Sequence, residues 1–155
     1  MELRLQPIGR VRRLGAEKKG GRAQLEIDEA FRDGLFELEQ FSHALVLWWA
    51  DRRDTVADRR TLRVRPRTAP DHVTGVFATR SPARPNPIAV SVCRLLAVDR
   101  KAGAVELVWI DADDGTSVID LKGYIPGADR VRTPRVPDWL SAQPQWAGEA
   151  PDDVG

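Results

Sequence analysis

Three prolines fall within six residues, at Pro82, Pro85 and Pro87, and they separate two apolar runs, 73–77 and 88–96. Proline fixes φ and lacks an amide hydrogen, so this stretch excludes a helix and a regular central strand. Ser81, Arg84 and Asn86 each precede a proline and are pushed toward extended backbone. The sequence therefore predicts two strands joined by a stiff loop. That loop carries Arg80 and Arg84, permanently charged groups that each offer a planar fork of donors. Such a loop suits an anionic ligand or a nucleotide; the alternative is that its arginines pair with neighbouring carboxylates.

A chain of 155 residues with 42% apolar and 30% charged residues fits one soluble globular domain, expected over 1–146, with 147–155 as a disordered acidic tail. A net charge of +1 does not by itself point to nucleic acid. The one cysteine, Cys93, excludes a disulfide framework and favours a reducing, cytoplasmic compartment. No signal-peptide core opens the chain, and the longest apolar run, 44–50, is too short to span a bilayer.

The chain reads mainly as β. A first strand is expected around Pro7 to Val11, then a basic loop over 15–22 and a short strand over 23–27. One or two helical turns over 28–34 follow, with Asp28 as N-cap and Gly34 closing them. The strongest core strand is expected over 38–51, covered on both faces. The charged stretch 51–60 reads as a loop. Strands are expected over 61–65, 105–110 and 118–121, a Gly103 turn joins 98 to 104, and a single turn over 137–140 ends the ordered chain. Some seven short strands with little helical periodicity predict a small barrel or strongly curved sheet with short helical turns.

No glycine-rich dinucleotide fingerprint, P-loop or zinc spacing is present. Calcium at Asp111, Asp113 and Asp114 lacks the bidentate Glu such a loop uses. Cys93, mid-strand, reads as a small buried hydrophobe. His43 is either a satisfied strand-end histidine or a site residue. Trp48 and Trp49 point to opposite faces. The loop Asp111-x-x-Asp114-Gly115-Thr116, with Asp120-x-Lys122-x-Tyr124 after it, is either an Asp-rich turn or the carboxylate edge of a pocket whose other edge is the Arg80 to Asn86 loop.

These residues, in this order, resemble a known family. Ile8-Gly9-x-Val11, Leu38-Glu39-x-Phe41-Ser42-His43, Gly75 to Ile88, and Asp111 to Tyr124 look like the TsaA-like (YaeB, TrmO) family. That family comprises S-adenosylmethionine-dependent methyltransferases acting on threonylcarbamoyladenosine beside the tRNA anticodon. The resemblance implies a small TsaA-like β-barrel working as a homodimer, with the cofactor near the subunit interface. It implies cofactor contacts at Asp51 and Arg52, at Arg84 with Arg80 and Asn86 shaping its loop, at Leu95, and at Asp111, Asp114, Gly115 and Thr116. It also implies substrate positioning and proton handling by Asp120, Lys122 and Tyr124; the residues themselves lead to the expectation of no metal. The family pattern has His where this chain has Asp51, and Pro where it has Ser117 and Gly123.

Three functions follow as alternatives. The first is a tRNA methyltransferase whose loop cations (Lys18, Lys19, Arg22, Arg52, Arg53, Arg59, Arg60) track phosphates. The second is a methyltransferase of the same fold acting on a small molecule. The third is a non-catalytic barrel that binds an adenosyl ligand. The loop cations have an ordinary alternative too, a solvated charged surface interleaved with Asp51, Asp54 and Asp58.

Overall fold

The structure is a computed structural model; residues 2–17 and 21–148 are described. Lys18, Lys19 and all but the start of the expected tail lie outside the described residues. The chain divides into two compact units, Met1–Asp51 with Ile88–Tyr124, and Arg52–Pro87 with Ile125–Gly155.

The first unit is a closed six-stranded antiparallel barrel. Its strands are β1 (Gly9–Arg13), β2 (Arg22–Ile27), β3 (His43–Trp49), β6 (Ile88–Asp99), β7 (Ala104–Val108) and β8 (Ser117–Gly123). Around the barrel the order is β1, β2, β7, β6, β3, β8 and back to β1. Period-2 alternation builds it: Val11, Ala23, Leu25, Ile27, Val46, Cys93, Val105, Leu107 and Val118 point inward and are almost wholly buried. Each buried Leu or Val contributes about 2 kcal/mol by leaving water.

Closure depends on Gly9. It pairs with Ile27 of β2 and Val118 of β8, where the barrel seals. A side chain there would put its Cβ 2.2 Å from the Glu26 carbonyl oxygen. The glycine of the Ile8-Gly9-x-Val11 motif is thus a packing requirement.

Several expectations are corrected. β3 starts at His43, not at residue 38. Glu37 sits at φ 67°, and Leu38–Gln40 folds into a 3-10 turn that buries Leu38. Nor is β3 covered equally on both faces: Ala44 and Val46 are buried while Leu45 and Leu47 are half-buried. Gly34 does not end the turn after β2, because the 3-10 helix Glu29–Leu35 continues through it to bury Leu35; Asp28 precedes that helix without a side-chain cap. β7 stops at Val108, because Trp109 adopts φ 74° and leaves the ladder. The Gly103 turn has φ 72° as expected for glycine.

The second unit holds the two-stranded sheet β4 (Arg63–Val64) and β5 (Thr74–Gly75), and the short helices α1 (Val56–Arg59) and α2 (Pro126–Asp129). The strand expected through Phe77 ends at Gly75, and Val76–Ala78 turns as a 3-10 helix. The charged stretch expected as a loop contains α1. Thr55 caps it by accepting from the Asp58 amide at 3.1 Å, and its hydroxyl donates to the Asp58 carboxylate at 3.0 Å. The turn near the end of the described chain is Asp138–Leu140, and Trp139 stacks on His72 with ring centroids 5.5 Å apart.

Cys93 is fully buried, and burial pushes its thiol up to about 12. An unfolded chain ionises this thiol near pH 9, whereas the folded chain keeps its proton. Stability from this group is therefore complete below about pH 8.5 and falls as pH rises toward 12. Native protein is expected to resist iodoacetamide at about pH 8 and to react stoichiometrically in urea; rapid native labelling would contradict the burial.

Candidate functional site

Within the barrel unit, the acidic segment after β7 is tied to β1. The Gly115 amide donates to the Val11 carbonyl at 2.7 Å, and the Val11 amide donates to the Thr116 carbonyl at 2.9 Å. Asp114 Oδ1 accepts from the Arg13 amide at 2.8 Å, and Arg13 Nη1 donates to the Ile110 carbonyl at 2.9 Å. Gly115 turns the chain at φ 80°, with open space where a side chain would project. Thr116 is buried, while Asp111 and Asp114 are exposed. Asp51 joins this group: its Oδ2 accepts from the Ser117 amide at 3.3 Å. The structure thus brings Asp51, Asp114, Gly115 and Thr116 together around one segment, although Asp51 lies far from the others in sequence.

A second group forms where β3 begins and β8 ends. On β8, Asp120 and Lys122 face the same side as Leu47 and Leu45, their pairing partners on β3. Lys122 Nζ lies 2.7 Å from Asp120 Oδ2, and this carboxylate holds the ammonium proton more tightly than usual. Lys122, held protonated by its partner, has no lone pair with which to accept a proton near neutral pH. Tyr124 follows β8, and its amide donates to the His43 carbonyl at 3.0 Å. His43 stacks on Trp109 (5.9 Å between centroids) and meets the Tyr124 ring edge-on (6.4 Å). Its Nδ1 is 2.8 Å from Ser42 Oγ. Leu95, half-buried against the core, donates its amide to the Ser42 carbonyl at 2.8 Å.

The Arg/Pro loop belongs to the second unit. It is stiffened as expected, with Ala83 and Pro87 buried. Arg84 turns back on its own loop, Nη1 donating to the carbonyls of Thr79 (3.2 Å) and Ser81 (3.3 Å). That leaves its Nε and Nη2 for other partners. Arg80, Arg52 and Asn86 are exposed. Of the loop cations, Arg53 pairs with Asp58 at 2.7 Å and Arg59 with Asp54 at 2.5 Å, so these two follow the ordinary reading of interleaved surface charge.

A cleft of about 410 Å³ beside Glu26, Asp28, Arg32 and Gly103 contains none of the expected site residues. Sequence reasoning missed Trp109, whose left-handed backbone leaves no trace in composition, and Arg13, whose amide and guanidinium brace the acidic segment. The Thr55-x-x-Asp58 capping pattern was a readable signal for α1.

The family model described as tRNA-methyltransferase O N-terminal domain matches residues 10–130. An S-adenosyl-L-methionine-binding protein from Archaeoglobus fulgidus is 41% identical over 109 residues, covering 70% of this chain and 73% of its own. A crystal structure of TrmO from Pseudomonas aeruginosa superposes with a TM-score of 0.65 at 33% identity, over 87% of this chain and 62% of that one. Another TrmO crystal structure gives 0.68 at 35% identity, over 87% and 61%. The chain spans about three-fifths of the length of those solved proteins. The closed antiparallel barrel and the collinear motifs agree with this likeness, and the chain belongs to the tRNA-methyltransferase O N-terminal-domain family of S-adenosylmethionine-dependent methyltransferases.

Proposed function

We propose that the chain methylates N6 of threonylcarbamoyladenosine next to the tRNA anticodon, using S-adenosylmethionine and working as a homodimer. The observation that carries this reading is the family match over residues 10–130, which covers both barrel groups. When bound, S-adenosylmethionine supplies an electrophilic methyl group on a cationic sulfur. The donor set suits it. Asp51, Asp111 and Asp114 are exposed carboxylates that can accept from its amine and ribose hydroxyls and favour its positive charge. Gly115 and the buried Thr116 let backbone approach closely, and Leu95 offers an apolar surface. In the second unit, Arg84, Arg80, Asn86 and Arg52 carry donors of the kind that suits a carboxylate. Asp120, Lys122 and Tyr124 position the acceptor, the ion pair holding polar groups of the substrate in one orientation.

Methyl incorporation into tRNA carrying threonylcarbamoyladenosine tests the reading, with the nucleosides resolved by mass spectrometry. Label in the N6-methylated nucleoside is the expected result. Label found in a small-molecule fraction alone would replace the tRNA reading with the metabolite one, and cofactor binding without any transfer would favour the non-catalytic barrel.

A further inference from the structure

The proposed reaction releases a proton from the acceptor nitrogen, and Lys122, paired with Asp120 at 2.7 Å, has no free lone pair to take it. His43 is the described histidine of the barrel unit, and it stands in the same group. Both neighbouring carbonyls are held: the Ser42 carbonyl accepts from the Leu95 amide of β6 at 2.8 Å, and the His43 carbonyl accepts from the Tyr124 amide at 3.0 Å. The ring is fixed as well, stacked on Trp109 and edge-on to Tyr124. Trp109 reaches it through a φ of 74°, a left-handed backbone that costs a bulky residue energy. The burial of Ile110 and the Arg13 bond to its carbonyl hold that turn in place. A strained residue braced so as to stack on a histidine implies that the ring's orientation matters.

We propose that His43 is the proton acceptor of the methyl transfer, held by Ser42 in the tautomer that leaves Nε2 unprotonated. This rests on the methyltransferase reading above. In this arrangement Nδ1–H donates to Ser42 Oγ across the 2.8 Å contact, and the Nε2 lone pair faces the acceptor. The acceptor nitrogen exchanges its N–H bond for an N–CH3 bond. The proton passes to Nε2, and the electron pair of the broken methyl–sulfur bond stays on sulfur. The imidazolium then returns its proton to water. Tyr124 meets the ring, Arg94 is the pairing partner of His43 on β6, and the Asp120–Lys122 pair lies further along β8.

The test has two arms. The chain has two histidines, so ring-nitrogen NMR is readily assigned with a His72→Gln control. Neutral His43 is expected as the Nδ1–H tautomer, shifting toward Nε2–H in Ser42→Ala. An Nε2–H tautomer in the wild type, or no change in Ser42→Ala, overturns the proposal whatever the substrate. The second arm is kcat/KM against pH with threonylcarbamoyladenosine-bearing tRNA. The wild type is expected to lose rate below the NMR-measured pKa of His43. His43→Gln is expected to lose that limb and to fall about 10²- to 10⁴-fold at about pH 8, with cofactor binding by calorimetry retained. His43→Asn, which can keep the Ser42 hydrogen bond, serves if the Gln variant does not fold. A variant that keeps the acid limb refutes the assignment. If the wild type transfers nothing, the acceptor reading fails and the tautomer arm decides the state of His43.

Discussion

Gly9→Ala is expected to destabilise the protein by about 3 kcal/mol or more, lowering the melting temperature by about 10 °C. The added methyl would sit 2.2 Å from the Glu26 carbonyl oxygen, 3.0 Å from its carbon and 3.0 Å from the Ile27 Cα. All three are backbone atoms of β2, so no rotamer change relieves the clash. Relief requires β1 to move away from β2, and β1 also pairs with β8 through Gly9 and Arg10. A shift there opens the barrel at its closure and exposes edges that closure otherwise removes. Gly34→Ala is the control: no atom lies within 4 Å of the place its methyl would take, and that glycine has no positive φ. Alanine there is expected to be neutral or slightly stabilising, because it reduces the freedom of the unfolded chain. Urea denaturation of both variants decides the matter. A Gly9→Ala protein within about 0.5 kcal/mol of the wild type, the range of an ordinary surface change, would show that closure does not depend on this contact.

The barrel was legible where alternation was strong. Leu25 lies in a run read as alternating, the apolar run 44–50 marked a core strand without saying which face was buried, and the three prolines forced the break before β6. Boundaries failed where single residues took backbone states that sequence does not display. Glu37 and Trp109 have positive φ without being Gly, Asn or Asp, and each moved the boundary of an expected strand. The short helix α1 was hidden by its charge density, although Thr55 and Asp58 had the spacing of a capping pair. In the candidate site, the residue types of the acidic segment were readable, but the partner of Ser117 was not. Asp51 meets that segment only because β3 and β8 are neighbours in the barrel. Asp120 and Lys122 were read together as site candidates, but the 2.7 Å contact between them was not legible.

Asp114 separates the structural from the electrostatic duty of the acidic segment. Its Oδ1 accepts the Arg13 amide at 2.8 Å, which fastens the segment to β1, and its carboxylate is exposed. Asp114→Asn keeps an oxygen acceptor for that amide and removes the negative charge. It is expected to melt within about 2 °C of the wild type, the effect of roughly 0.5 kcal/mol in a chain of this size. If the carboxylate meets the cationic cofactor, the same variant is expected to bind S-adenosylmethionine about tenfold more weakly, a loss of about 1.4 kcal/mol. A charge-assisted hydrogen bond is worth about that much or more. Asp114→Ala removes both duties. It is expected to lose about 1–2 kcal/mol of stability through the orphaned Arg13 amide and at least as much affinity as the Asn variant. Calorimetric titration and thermal melts on the same preparations read the two effects independently. The charge contribution should also weaken with added salt in the wild type and much less in Asp114→Asn. Equal affinity in the wild type and Asp114→Asn would remove this carboxylate from the cofactor site and leave it a purely structural brace for the segment between β7 and β8.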